Sequence, residues 1–234
     1  LSFFDRVLKR KGEPPPAPVR YFSVGSGWKW APTWPPPDTV LSWTAASGGG
    51  ANSRHGDGRL VLGPADPGPP DVFVAEPLVP YLGGLVPLES EAAAEDRRDV
   101  LCYTSDLITE PLSIAGAPRV KIVTKCDMEG HDVVVSLVSV GPDGEPRALT
   151  SGVRRARVTP GALTPHSVEL RPIAWTIPKG SRLRLDVTAA RFPAFDRNPH
   201  NSARAVAATP REDYRVATIE VLEATLELPI EADP

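Results

Sequence analysis

"PKGSRLRLDVTAARFPAFDRNPHN", residues 178–201, decides how the rest of the chain is read. Leu183, Leu185, Val187 and Ala189 fall on one face, and Arg182, Arg184, Asp186 and Thr188 fall on the other. A period of two marks a strand with one side on a core. Two aromatics, two prolines, an Asp-Arg pair, two asparagines and a histidine follow within a dozen residues. That is enough chemistry for an active-site loop and also enough rigidity for a corner.

Outward from this strand the pattern repeats. Twenty-eight prolines and 19 glycines among 234 residues punctuate the chain too often for long helices. Strand-like runs lie at 19–24, 59–62, 100–104, 119–126, 132–140, 152–158, 166–170, 182–189, 214–222 and 224–230. Many short strands between Gly/Pro turns predict an all-β fold, a sandwich or jelly roll. "GPDGEP" (141–146) predicts a hairpin, because Asp143-Gly144 supplies the positive φ of a tight turn. The N-terminus departs from the pattern: "LSFFDRVLKRKG" places Leu1, Phe4 and Leu8 on one helical stripe, with basic residues in the last turn and Gly12 as terminator. This helix has no capping residue before it and carries exposed Phe3 and Phe4, so we expect a longer protein upstream of Leu1. "EPPPAP" (13–18) reads as an extended spacer and "WKWAPTWPPP" (28–37) as an aromatic, proline-stiffened loop.

Composition excludes several functions. With 41% hydrophobic residues the chain can bury a core; a net charge of −3 with scattered basic residues gives no footprint for nucleic acid or an anionic membrane. No apolar run spans a bilayer and no signal peptide is recognisable, which favours a cytoplasmic location. Cys102 and Cys126 lack metal or redox spacing and read as buried thiols, a disulfide between neighbouring strands being the alternative. No serine has glycine two residues before and two after it, so the Gly-x-Ser-x-Gly nucleophile elbow is absent.

The segments "FFDRVLKRKG", "PVRYFSVGSGWKW" with "TWPPPDT", "DVLCYTSDLITEPLSIAGAPRV", "DVVVSLVSVGPDG", "PKGSRLRLDVTAARFPAFDRNPHN" and "IEVLEATLELPI" occur in an order that resembles the C-terminal part of the cocaine esterase, α-amino acid ester hydrolase and X-prolyl dipeptidyl aminopeptidase family of serine hydrolases. The resemblance implies that residues 1–18 are the last helix and linker of an α/β-hydrolase domain. Residues 19–234 would then form a galactose-binding-like jelly roll. It places the Ser-His-Asp triad before residue 1, so the chain holds no catalytic residue and needs no cofactor. The implied role is to shape the substrate pocket and to stabilise the catalytic domain or an oligomer. The hydrolase domain of the same parent is the expected partner, and a second copy of the chain the alternative.

Against that background, His200 oriented by Asp196 would need a nucleophile that the sequence does not place. We read Phe192, Phe195, Asp196, Arg197 and Asn198 as a structural corner, with Asp196 pairing with Arg197 or accepting backbone N–H groups. Asp127, Glu129, His131 and Asp132 lack the calcium-loop rhythm and read as a solvated turn instead of a metal site. His55 and His166 lie in turn-like contexts and receive no role. Trp28, Trp30 and Trp34, with Phe3 and Phe4, are read as a seam against the hydrolase domain; tryptophans stacking on sugars, in an independent carbohydrate-binding sandwich, are the alternative. Within "YLGGLVPLESEAAAEDRRD" (81–99) the resemblance brings Leu85, Val86 and Leu88 near the mouth of the active site, as an apolar wall for the substrate.

Overall fold

A computed structural model of the chain describes residues 2–36, 38–83, 90–201 and 209–231. The long strands pair as the alternation predicts. β10 (Gly130–Val140) turns back into β11 (Pro146–Arg157), and its other edge takes β14 (Arg182–Thr188), which in turn pairs with β7 (Leu101–Leu107). All three pairings are antiparallel and form the first sheet. The hairpin closes through Gly144, whose φ of 79° suits a glycine and whose N–H donates to the Gly141 carbonyl at 2.9 Å.

The second sheet is organised by β16 (Ala217–Glu231), a 15-residue strand. One edge pairs with β9 (Arg119–Cys126) and touches β8 (Leu112–Gly116) at Ile114. The opposite edge pairs with β5 (Asp71–Ala75) and then with β3 (Asp38–Ala46). β12 (Leu163–Glu169) extends the sheet beyond β9, and β13 (Ile173–Ile177) extends it beyond β8. β4 (Arg59–Leu62) pairs with β3 and bridges from Arg59 to Thr104 of β7, so the sheets join along one side in a jelly-roll-like sandwich, close to a barrel. Leu183, Leu185 and Val187 point inward as the alternation requires, and meet Trp43, Leu60, Ile114, Ile122, Leu226 and Leu228 in one core.

Several sequence expectations need correction. The runs at 214–222 and 224–230 are one strand, because the mismatch between them is a bulge at Leu222 that leaves β16 continuous. The stretch beginning at Trp28 is not all loop. β1 (Val19–Ser23) and β2 (Gly27–Ala31) form a hairpin, with Trp28 opposite Phe22 and Trp30 opposite Arg20, and the loop proper begins after Ala31. Aromatic cross-strand pairs outweighed the prolines that follow. β3, β5, β8 and β13 were not anticipated, being short or broken by polar and small residues. The N-terminal helix, α1, covers Ser2–Lys9, and Phe3, Phe4, Val7 and Leu8 on it are exposed. Both cysteines are free and buried.

Candidate functional site

The outer face of the first sheet is polar in sequence yet buried. A four-residue helix, α2 (Ala92–Glu95), lies over β10, β14 and β7 and lowers two carboxylates onto them. Glu95 pairs with Arg184, whose Nε also donates to Thr104 Oγ1 at 2.8 Å. Glu91 forms a two-pronged pair with Arg191, at 2.6 and 3.2 Å. Arg191 also donates to the Tyr81 hydroxyl at 2.7 Å and to Ser136 at 3.3 Å. Arg184, Arg191, Glu91, Glu95 and Asp186 are all buried. Burial pushes both the Asp186 and Glu95 carboxyls above the usual range, while Arg184 pulls the other way.

Arg191 therefore holds both stems of segment 84–89. Tyr81 and Gly83 lie on one side, where a β-carbon at Gly83 would come within 2.8 Å of the Arg191 side chain, and Glu91 lies on the other. The short strands β6 (Leu82–Gly83) and β15 (Phe192–Pro193) pair in parallel beside it. Leu85, Val86 and Leu88, the residues read as a pocket wall, lie outside the described residues.

The corner after β14 is built differently from the expectation. Asp196 is exposed, and its contribution is its backbone carbonyl, which accepts from Arg155 Nη2 at 2.8 Å. The buried carboxylate that organises the corner is Asp132. It accepts from Arg155 at 2.9 and 2.7 Å and from Asn198 Nδ2 at 2.7 Å. Asn198 Oδ1 accepts the His200 N–H at 2.8 Å, which holds His200 at a φ of 56°. Arg197 lies over the rings of Phe192 and Tyr214, at 5.4 and 5.5 Å from their centroids, and the guanidinium of Arg171 lies 5.8 Å from the Phe195 centroid. His200 Nδ1 bonds the Arg215 carbonyl at 2.7 Å, and burial lowers its basicity. No His200–Asp196 dyad forms.

"CDMEGHDV" is a turn only at its start, where Asp127 accepts the Thr218 N–H at 2.8 Å. His131 and Asp132 lie inside β10 and are buried, contrary to the reading of a solvated turn, because the strand begins at Gly130. His131 and His166 both bond Thr124 Oγ1, at 2.9 and 2.8 Å, with their rings edge to face at 5.3 Å. Burial, with His166 and His200 nearby, lowers His131 to about 4. His55 is the exposed exception, 3.0 Å from Asp96, whose carboxyl is held down chiefly by its bond to Arg54. Among the described residues no group of three or more His, Cys, Asp or Glu stands where it could hold a metal ion.

Chemically, the described residues show no serine–histidine pair and no activated thiol. None of their serine hydroxyls bonds a histidine ring, and burial drives the Cys102 and Cys126 thiols up, away from the reactive thiolate. What they offer instead is surface. On the β1–β2 hairpin Phe22, Trp28 and Trp30 are exposed, with Arg20 lying over Trp28 and Trp30 at 4.4 and 5.5 Å from their centroids. Trp34 tilts against Tyr21 at 5.1 Å, and Tyr21 in turn bonds Glu231, which also pairs with Lys29. The hairpin hangs on the edge of β13 through paired bonds between Val24 and residues 174 and 176, at 3.0 and 2.8 Å. No helix among the described residues is long and apolar enough to cross a membrane.

These features can be set beside known proteins. The cocaine esterase of Rhodococcus sp. (strain MB1 Bresler) is 28% identical over 223 residues, covering 84% of this chain and 38% of the esterase. Among solved structures, an aminopeptidase from the marine sediment archaeon Thaumarchaeota archaeon superimposes with a TM-score of 0.83 at 22% identity, over 98% of this chain and 43% of its own. An α-amino acid ester hydrolase superimposes with a TM-score of 0.82 at 22% identity, over 98% and 44%. The chain thus spans less than half the length of each of these proteins. The model of the X-Pro dipeptidyl-peptidase C-terminal non-catalytic domain matches residues 13–221, a span that takes in the corner, the α2 cluster and the sandwich up to the first third of β16, and the chain belongs to this family.

Proposed function

We propose that the chain serves as the non-catalytic C-terminal domain of a larger, cytoplasmic serine hydrolase acting on ester or peptide bonds. In this reading it docks on the hydrolase domain through its aromatic N-terminal surface and walls part of the substrate pocket with Leu85, Val86 and Leu88. The observation that carries the docking is the concentration of exposed Phe3, Phe4, Phe22, Trp28, Trp30 and Trp34 in the first 34 residues, outside a core that the two sheets already complete. Exposed aromatic side chains that the core leaves over in this number support an interaction role. The carbohydrate-binding alternative is less well supported, because Arg20 occupies the ring faces of Trp28 and Trp30 on which a sugar would stack.

Sedimentation of the chain with and without a separately produced hydrolase domain tests this reading. We expect a complex that Phe4→Ser combined with Trp30→Ser weakens, and no turnover of p-nitrophenyl esters or X-Pro anilides by the chain alone. Failure to bind the hydrolase domain, together with glycan binding, would refute it. Self-association through the same surface would point to the oligomer instead.

A further inference from the structure

The cluster beneath α2 does not balance if every acid is ionised. It contains three buried carboxyls, Glu91, Glu95 and Asp186, and two guanidiniums. Arg191 is committed to Glu91 and Arg184 to Glu95. Asp186 has no cation to itself: its strand neighbours across the sheet are Ser136 on β10 and Cys102 on β7, and the thiol is a weak donor to it. Above it, Glu95 is close enough for a hydrogen bond between the two side chains. Yet Glu95 Oε1 and Asp186 Oδ1 are both buried without a partner when each is drawn as an ion. Two acceptors cannot satisfy one another, and a buried unmatched charge is costly. One proton removes both faults, since it neutralises the surplus acid and turns one acceptor into a donor.

We propose that Asp186 and Glu95 share a single proton in the folded protein, with Asp186 O–H donating to Glu95, and that this proton latches α2 to the outer face of the first sheet. The inference is independent of the docking reading above. Other charged groups near the latch do not supply the missing charge. Arg54, His55 and Asp96 are engaged with one another in an exposed network. Tyr81 is bound to Arg191, and Thr104 to Arg184.

The sign of the pH effect follows from proton linkage. The folded state keeps the proton above the pH at which the unfolded chain releases it, so stability declines as pH rises from the ordinary carboxylate range towards the release of Asp186. Asp186→Asn replaces the shared O–H with a permanent N–H donor. Infrared spectra of the parent at about pH 7 should show the carbonyl stretch of a protonated carboxyl, moving when aspartate is carbon-13 labelled and absent from the variant. Thermal unfolding of the variant should lose part of the parent's decline with pH and exceed the parent at alkaline pH. A parent with no labelled-aspartate band at neutral pH would overturn the proposal, as would a variant with an unchanged pH slope. The infrared readout on the parent decides the matter even if the variant does not fold.

Discussion

Replacing Arg191 by Met removes a guanidinium that satisfies the Glu91 carboxylate, the Tyr81 hydroxyl and Ser136 together, all in a buried setting. The methionine keeps most of the side-chain volume, so the change isolates charge and hydrogen bonding from cavity formation. Removing one partner of a buried ion pair costs about 3–5 kcal/mol, because the charge left behind is uncompensated. For a chain of this size each kcal/mol is worth about 2–4 °C, which places the fall in melting temperature at roughly 6–20 °C. Arg191→Lys should recover little, since an ammonium cannot reproduce the two-pronged contact. The double change Arg191→Met with Glu91→Leu should recover most of the loss, because an apolar pair in place of a buried ion pair is often neutral. Calorimetry or denaturant unfolding of the parent, the two single variants and the double variant measures these differences. A single variant that loses less than about 1 kcal/mol, the range of an exposed pair, would refute the assignment of Arg191 as the buried support of both stems. So would a double variant no better than the single.

Two further outcomes are expected. His131 is neutral in the fold and lowered to about 4, whereas the unfolded side chain titrates near 6.5; stability should therefore fall as pH drops through that window, by up to about 3 kcal/mol. An NMR titration of the His131 ring that finds an ordinary midpoint would contradict this. In the corner, Asp132→Ala should cost about 2–4 kcal/mol by stranding Arg155 and Asn198, while Asp196→Ala should stay within about 0.5 kcal/mol. Equal melting shifts for the two would mean that the corner does not hang on Asp132.

Where the residues alternate cleanly, the strands were legible. Leu183, Leu185 and Val187 announced both a strand and its core face, and Asp143-Gly144 announced its hairpin. What escaped reading was the opposite face of the same strand. Arg184 and Asp186 look like solvent-facing residues until a helix of four residues covers them, and so short a helix has no periodicity to detect. The signal available was Glu91 and Glu95, four residues apart around an alanine run, which lie on one side of a helical turn. The corner was legible as a corner, but not its anchor. Asp196 sits inside the loop and drew attention, whereas Asp132 reaches it from a strand 64 positions earlier in the sequence. No local pattern records such a contact. The aromatics of 28–34 were legible as a surface feature, and only the pairing register showed that Trp28 and Trp30 stand on a strand.

The arrangement of β16 has a consequence for how the chain comes together. This strand is the common neighbour of β3, β5, β8 and β9, and among the described residues it is the last to leave the ribosome. Until residues 217–231 emerge, four earlier strands have an open edge where β16 belongs, and β3 and β5 cannot complete their ladders by local pairing. Partners so distant in sequence close slowly, and open edges recruit other chains. The second sheet is thus completed only once that strand is available, and during synthesis the nascent chain is most vulnerable to misassembly in the interval before its final described strand is free to insert.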